Sequence, residues 1–274
     1  MIPFNGQPAI ELRTPGGDRA IVLPYGAHVL SWIPAGGTER LYLSKRTAYG
    51  NGNAIRGGVP VIFPQFNQRG PDFDVPRHGF ARTRDWHLAE DAPDSVTLRL
   101  VDDEQTQALW AHPFALTMTV RLAPQRLDMA LRVVNTGTQP FSFTAALHTY
   151  LEVGDIGQAG VSGLGGVRYL DTVSQASGVG SAAPLHFAGE ADCIWYDLPA
   201  PLRLLAPTGA LDIAMQGFAD AVIWNPGAQK CAALPDMPAG DFRRMLCIEA
   251  AAIGRPVTLA AGEQWLGRQV LAAP

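Results

Sequence analysis

Glu249 lies in sequence surroundings that favour proton transfer. It is the one charged residue in MLCIEAAA (245–252), an otherwise apolar run. An isolated charge is costly to bury. Glu249 is therefore either a member of an ion pair or a carboxyl group whose raised pKa suits a general base. In a chain without a metal-binding motif, we favour the second explanation.

His148 follows a run of alternating residues. In FSFTAALH (141–148), every second residue from Phe141 to Leu147 is apolar and shares one face of an extended strand, so His148 falls on the other face. An imidazole on an open face can give or take a proton near neutral pH. The alternative is a surface histidine that pairs with a neighbouring strand.

Basic residues occupy two glycine-containing loops. Arg56 lies in AIRGGVPVIFPQF (54–66), whereas His78 and Arg82 lie in PRHGFAR (76–82). Because a guanidinium group binds phosphate or carboxylate through two parallel hydrogen bonds, Arg56 and Arg82 would form an anion clamp if the fold brings them together. The alternatives are an Arg56 that binds loop carbonyls and a structural His78. Asp192 is either an acceptor for ligand hydroxyls or a simple turn residue.

Strands must position these side chains, because a period of two dominates the chain. Residues 114–122 and 127–133 alternate on either side of APQR (123–126), which predicts two antiparallel strands joined by a turn. A third strand follows NTGTQP (135–140). Shorter strands are predicted at Ile21–Leu23, His28–Ile33, Val96–Val101, Arg203–Ala206, Ala221–Trp224, Met245–Ala250 and Val257–Leu259. One short helix is predicted, at Asp103–Trp110, where an acidic first turn suits the helix dipole.

The composition is typical of a globular, β-rich protein. Of the 274 residues, 47% are hydrophobic and 17% are charged, which excludes a disordered chain. Turns must be frequent, because 29 glycines and 22 prolines are spread through the sequence. Since no linker or repeat divides the chain, we expect residues 1–274 to form a single all-β domain, a large antiparallel β-sandwich. The net charge of −4 argues against binding of nucleic acid.

The first residues, MIPFNG, contain neither a basic nor a long apolar stretch, and no window approaches the roughly 18 apolar residues of a membrane span. We therefore expect no membrane association and a cytoplasmic protein. Cys193, Cys231 and Cys247 are far apart and form no CxxC pair. This spacing favours neither a disulfide framework nor a zinc site.

Five blocks of sequence, in order and spacing, resemble the glucose-6-phosphate 1-epimerase group of the aldose 1-epimerase family, also called hexose-6-phosphate mutarotases. The similarity runs from roughly the first strands to the C-terminus. The blocks are AIRGGVPVIFPQF (54–66), HGFAR (78–82) followed by Trp86, ALHTYLEVGDI (146–156) with VSGLGGVRYLD (161–171), VIWNP (222–226) and MLCIEAAAIGRPVTLAAGEQW (245–265).

The resemblance implies a galactose-mutarotase-like antiparallel β-supersandwich with a sugar site on the concave face of its central sheet. It assigns Glu249 as the general base that removes the anomeric hydroxyl proton and His148 as the acid that protonates the ring oxygen. Substrate-binding roles fall on Arg56, Gln65, His78, Arg82 and Asp192. The two arginines would hold a 6-phosphate, and Asp192 would bind ring hydroxyls.

We expect a monomer that interconverts the anomers of a hexose 6-phosphate, with glucose 6-phosphate as the expected substrate, and that needs no cofactor or metal. Two alternatives stay open: a mutarotase for unphosphorylated aldoses, and a non-catalytic sugar-binding module. A glycoside hydrolase is disfavoured, because that chemistry generally uses two carboxylates. The sequence departs from the family pattern at Cys193, where relatives often have a basic residue, and at Gly227, where a tryptophan is common.

Overall fold

The computed structural model describes residues 1–68 and 75–274. Strands make up most of its regular structure. In chain order they are β1 (Ile2–Phe4), β2 (Gln7–Arg13), β3 (Arg19–Leu23), β4 (His28–Ile33), β5 (Val61–Ile62), β6 (His87–Ala92), β7 (Ser95–Val101), β8 (Phe114–Ala123), β9 (Arg126–Asn135), β10 (Phe141–Leu147), β11 (Tyr150–Glu152), β12 (Gly160–Ser162), β13 (Arg168–Asp171), β14 (Ser177–Val179), β15 (Leu185–His186), β16 (Ala191–Tyr196), β17 (Leu202–Leu205), β18 (Leu211–Gln216), β19 (Asp220–Asn225), β20 (Met245–Leu259) and β21 (Gln264–Ala272). The α-helices are α1 (Glu104–Leu109) and α2 (Gly227–Ala233), and short 3₁₀ turns cover Ala81–Thr83, Ile156–Gln158 and Asp241–Arg243.

The strands form three antiparallel sheets. A small N-terminal sheet has the order β1-β2-β3-β4. The central sheet has the order β14-β13-β16-β19-β20-β10-β5, and β11 also pairs with β20. The outer sheet has the order β15-β12-β17-β18-β21-β9-β8-β7-β6. This arrangement confirms the predicted all-β, antiparallel architecture.

Alternation along β20 shows how the core positions the opposite face of the central sheet. Leu246, Ile248 and Ala250 belong to the large apolar cluster that draws residues from all three sheets. Successive strand residues point to opposite faces, so Cys247 and Glu249 face away from that cluster. The central sheet therefore has one face committed to the core and a second face available for polar side chains.

The predicted hairpin is confirmed: β8 and β9 pair over their full length around Pro124 and Gln125. The predicted strands at Met245–Ala250 and Val257–Leu259 are in fact one strand, β20. Its pairing with β10 changes register between Phe143 and Ala145, so the glycine and proline of IGRP (253–256) lie in a β-bulge that the strand passes through.

Helix α1 confirms the helix prediction, with Asp103 as its N-cap. Its side chain accepts a hydrogen bond from the Thr106 amide, and the Thr106 hydroxyl accepts one from the Asp103 amide, which closes a capping box. The prediction of a single helix was wrong, because the sequence also forms α2. That helix spans seven residues and starts at a glycine, so it is too short to show a periodic apolar face in the sequence. No helix in the described part of the chain is long and apolar enough to cross a membrane.

Candidate active site

The face of the central sheet that points away from the large apolar cluster collects polar side chains from adjacent strands. Asp192 on β16 lies opposite Trp224 on β19, and Val222 on β19 lies opposite Glu249 on β20. His148 comes directly after β10, whose last residue pairs with the residue that follows Glu249. Strand register therefore places Glu249 and His148 in one row across the sheet, and Asp192 in the neighbouring row with Trp224 and Cys247.

These side chains line a cavity of about 190 Å³. Its wall combines charged groups with an apolar surface that can pack against a ligand ring. The lining residues are Arg56, Phe66, Asn67, Arg77, His78, Arg82, His148, Tyr150, Asp192, Val222, Trp224, Lys230, Leu234 and Glu249.

His148 and Glu249 face each other at the bottom of this cavity. The Nε2 atom of His148 lies 3.4 Å from Oε1 of Glu249. Glu249 is 1% exposed and His148 is 8% exposed. Within residues 1–68 and 75–274, neither Oε2 of Glu249 nor Nδ1 of His148 has a hydrogen-bond partner. Each group therefore has a buried polar atom without a partner in the described chain, which is uncommon in protein interiors and makes the pair a candidate functional site.

Burial shifts the pKa values of this pair in opposite directions. Desolvation raises the pKa of Glu249 well above its usual 4.5, and the charge of Asp192 adds to the rise. Desolvation lowers the pKa of His148 well below its usual 6.5, and nearby His78, Arg82 and Arg56 lower it further. Both shifts favour a proton shared by the pair being on Glu249 rather than on His148.

Arg56 reaches the cavity but is already paired. Its Nη2 lies 3.0 Å from Oδ2 of Asp236, and its Nη1 donates a 3.0 Å hydrogen bond to the Tyr150 hydroxyl. Tyr150 and Asp236 both raise the pKa of Arg56, so the guanidinium keeps its charge despite burial. The Asp236 carboxylate compensates that charge in the ligand-free protein.

Arg82 presents a less compensated cation to the same cavity. It lies in the 3₁₀ turn Ala81–Thr83, and its Nη2 donates a 3.0 Å hydrogen bond to the Arg77 carbonyl. Its buried Nε has no partner among the described residues. Burial lowers the pKa of Arg82 from its usual 12.5, and the neighbouring cations Arg56 and Arg77 contribute. An anionic ligand would relieve this repulsion.

His78 lines the cavity as a neutral imidazole. Its backbone adopts a left-handed conformation with φ of 66°, and its Nδ1 accepts a 3.1 Å hydrogen bond from the Asn67 amide. Desolvation, together with Arg82 and other nearby arginines, lowers the pKa of His78 to about 2. At neutral pH, His78 is therefore uncharged and can take part in hydrogen bonding with a ligand.

The two remaining predicted ligand contacts differ in position. Asp192 lines the cavity, and desolvation raises its pKa. Gln65 is buried but is not among the cavity-lining residues. Its side-chain amide donates hydrogen bonds to the carbonyls of Asn67 and Val75. Direct contact between Gln65 and a ligand stays a prediction.

Sequence reasoning assigned no role to several residues of the cavity wall. Tyr150 is two positions after His148, so the same alternation places it on the same face of the sheet. Trp224 could have been found in the same way from the strand around Val222. Lys230, which lies on α2 and forms a 2.7 Å ion pair with Glu190, had no comparable signal because that helix was not predicted.

Comparison with known proteins agrees with this geometry. Residues 8–272 match the sequence profile of the aldose 1-epimerase family. The chain belongs to the aldose 1-epimerase family. It is therefore an enzyme of that family, and the resemblance found in the sequence is confirmed.

Relatives in this family carry provisional names as glucose-6-phosphate 1-epimerases. One from Cenchrus ciliaris is 34% identical over 293 residues, covering 97% of this chain and 88% of the relative. Another from Escherichia coli K12 is 36% identical over 234 residues, covering 82% of this chain and 77% of the relative.

Solved structures confirm the predicted galactose-mutarotase-like supersandwich. A Salmonella typhimurium protein, described provisionally as a mutarotase, superposes with a TM-score of 0.84 at 28% identity, covering 98% of each chain. A galactose mutarotase-like protein from Lactobacillus casei shares the fold with a TM-score of 0.77 at 16% identity, covering 97% of this chain and 100% of that chain.

The two departures from the family pattern have structural explanations. Cys193 packs against the core cluster and is not among the cavity-lining residues. Gly227 has φ of +62°, and a Cβ atom there would lie 2.7 Å from the Glu190 amide nitrogen. A larger side chain at position 227 would therefore require the 189–190 loop to move. In the described chain, no group of three or more His, Cys, Asp or Glu side chains is placed to hold a metal ion.

Proposed function

We propose that this enzyme interconverts the α and β anomers of hexose 6-phosphates, with D-glucose 6-phosphate as the preferred substrate. The observation that carries the proposal is the His148–Glu249 pair, 3.4 Å apart, in a cavity that also contains Arg56 and Arg82. An acid and a base facing each other suit the transfer of two protons on one sugar. The arginines suit a phosphate group, and the provisional names of the relatives agree with this substrate.

In the proposed reaction, Glu249 removes the proton from the anomeric hydroxyl while His148 protonates the ring oxygen. The bond between C1 and the ring oxygen breaks, and C1 becomes an aldehyde. Rotation about the bond between C1 and C2 then presents the opposite face of the aldehyde. Ring closure uses the same groups with roles reversed, so protons balance over the cycle.

The reactive form needs the shared proton on His148. Burial alone favours this proton being on Glu249, because it raises the pKa of Glu249 and lowers the pKa of His148. A sugar hydroxyl that donates to the Glu249 carboxylate would stabilise its ionised form, because a hydrogen bond to the charged form lowers a carboxyl pKa. Substrate binding therefore favours the proton distribution that the reaction requires.

The phosphate would be held mainly by cations that lack a carboxylate partner. Arg82 has a buried Nε without a partner in the described chain, whereas Arg56 is bound to Asp236. A phosphate oxygen could accept from Arg82 without breaking an ion pair, and Arg56 would contribute a second guanidinium nearby. Charge-assisted hydrogen bonds of this kind distinguish phosphorylated from free sugars.

The direct test is exchange NMR on glucose 6-phosphate with purified protein. We expect magnetisation transfer between the α and β anomeric protons to accelerate in proportion to enzyme concentration. Unchanged exchange at saturating enzyme would refute the proposed activity. Binding without accelerated exchange, measured by calorimetry, would instead support a non-catalytic sugar-binding module.

Arg82→Gln should raise KM for glucose 6-phosphate about 10- to 100-fold, since a hydrogen bond to a charged group is lost. KM for unphosphorylated glucose should change little, because no phosphate contact is involved. Both constants can be measured by exchange NMR at varied sugar concentration. Arg84→Gln is the matched control, because Arg84 bonds to Gln105 and is not among the residues lining the reaction cavity. Equal effects of Arg82→Gln on both sugars would favour a mutarotase for free aldoses.

The rate of anomer exchange should follow a bell-shaped pH profile. Its two apparent pKa values describe the coupled His148–Glu249 pair rather than either residue alone. At low pH a second proton must enter His148, whose pKa lies well below 6.5, so activity should persist well below pH 6.5 before it falls. At high pH the pair loses its one proton through the raised pKa of Glu249, and activity falls again. The phosphate of the substrate itself titrates near a pKa of about 6. A fall in rate that is seen with glucose 6-phosphate but not with glucose therefore comes from titration of the substrate. An acid limb at or above pH 6.5 with both sugars would contradict the assignment.

A further inference from the structure

The imidazole of His148 is held in its plane by an unusual set of contacts. Histidines that act in catalysis are generally oriented by a hydrogen bond from the second ring nitrogen to a carboxylate or a carbonyl. In the part of the chain that the structure describes, Nδ1 of His148 is buried and has no such partner. The orientation of the ring must therefore come from its Glu249 contact and from packing.

Tyr150 provides the closest aromatic contact. Its ring lies parallel to the His148 imidazole, with centroids 4.7 Å apart and an angle of 7° between the planes. Trp224 and His78 meet the same imidazole edge-on, at 6.1 Å and 5.7 Å. A stacked ring restricts tilting of its neighbour, whereas edge contacts restrict sliding. Tyr150 is thus the group best placed to hold the imidazole plane.

Tyr150 is itself fixed from its other end. It is 3% exposed, and its hydroxyl accepts a 3.0 Å hydrogen bond from Nη1 of Arg56. The Nε atom of Arg56 donates a 3.1 Å hydrogen bond to Oδ2 of Asp236. A continuous chain of contacts therefore runs from Asp236 through Arg56 and Tyr150 to His148.

We propose that Tyr150 is a positioning residue that orients the His148 imidazole through its ring and couples it to Arg56 through its hydroxyl. This inference rests on the proposed function, because it gives His148 the role of the acid. The ring and the hydroxyl of Tyr150 then have separate roles. The ring serves proton transfer to both phosphorylated and free sugars, and the hydroxyl serves the arginine that faces the phosphate.

Two substitutions at position 150 separate the role of the ring from the role of the hydroxyl. Tyr150→Phe keeps the stacked ring and removes the bond to Arg56, so KM for glucose 6-phosphate should rise about 2- to 10-fold, the usual value of one hydrogen bond, with kcat nearly unchanged. Tyr150→Met fills much of the volume with a flexible side chain but removes the stack. Its kcat should fall by about 10²-fold for both sugars, the effect expected when a catalytic group is misplaced by about 1 Å.

Tyr42→Met is the matched structural control. Tyr42 is fully buried, its hydroxyl bonds to Asp241, and its ring lies 6.4 Å from that of Tyr150, but it does not line the cavity. It should lose stability like Tyr150→Met while keeping kcat. The ring-proton chemical shifts of His148 provide a second measurement, because loss of the stacked ring should move them in Tyr150→Met and not in Tyr42→Met.

The outcomes are distinguishable. If wild-type protein does not accelerate exchange, the proposed function fails. If wild-type protein is active and Tyr150→Met keeps kcat, or loses it only as much as Tyr42→Met, the positioning role fails alone. Equal kcat losses for Tyr150→Phe and Tyr150→Met would also overturn it, since the ring would then have no separate effect. Unmoved His148 shifts in folded Tyr150→Met would contradict the stacking argument directly.

Discussion

Glu249→Gln is expected to lower the rate of anomer exchange by about 10²- to 10⁴-fold, the usual contribution of a general base. Glutamine keeps the shape of the side chain and its hydrogen-bonding capacity but cannot accept the anomeric proton. Because Glu249 is buried and burial raises its pKa, its surroundings favour a neutral side chain such as glutamine. The substitution should therefore leave the thermal midpoint almost unchanged. Exchange NMR and thermal unfolding of the same sample measure the two effects separately.

The control for Glu249→Gln is the same substitution at a nearby carboxylate. Glu190 forms an ion pair with Lys230 at 2.7 Å and is not itself among the cavity-lining residues. Glu190→Gln should keep most of the activity, because a partly exposed ion pair contributes little to stability and the reacting atoms are elsewhere. Comparable losses in both variants would indicate that the cavity responds to charge in general rather than to one base.

Local patterns predicted those parts of the fold that are built from alternation. The hairpin of residues 114–135 and the side of the sheet that carries His148 follow from a period of two, because adjacent strand residues must point to opposite faces. Glu249 was identified as a candidate because an isolated carboxylate is costly to bury in an apolar strand. The same alternation places Tyr150 on the face of His148, but it carries no information on the contact between Tyr150 and Arg56.

Other parts of the site depend on contacts between distant segments of the chain. Arg56 meets Asp236 across 180 positions in sequence, and no local pattern in either segment indicates that ion pair. The sequence therefore predicted two equivalent arginines, whereas the structure shows one paired and one with an unpartnered Nε. Helix α2, which brings Lys230 to the cavity, is too short and too weakly capped to be recognised without its packing against the rest of the protein.

His148→Asn is expected to reduce exchange about as much as Glu249→Gln, by about 10²- to 10⁴-fold, since the ring oxygen would lose its proton donor. Asparagine occupies part of the imidazole volume and can donate a hydrogen bond, but it cannot transfer a proton near neutral pH. His186→Asn is the matched control, because His186 bonds to the Ala159 carbonyl and is not among the cavity-lining residues. That control should keep wild-type kcat in the same NMR measurement.

The double variant carrying His148→Asn and Glu249→Gln shows whether the two groups act in one step. Residues that act as a unit give losses that do not add, so the double variant should be little slower than either single variant. Additive losses would mean that the two side chains serve different steps. If His148→Asn retained substantial activity, His78 would be the next candidate for the acid, because its ring lies 5.7 Å from that of His148. His78 is poorly suited to that role, because its pKa of about 2 leaves it almost without a proton to give at neutral pH.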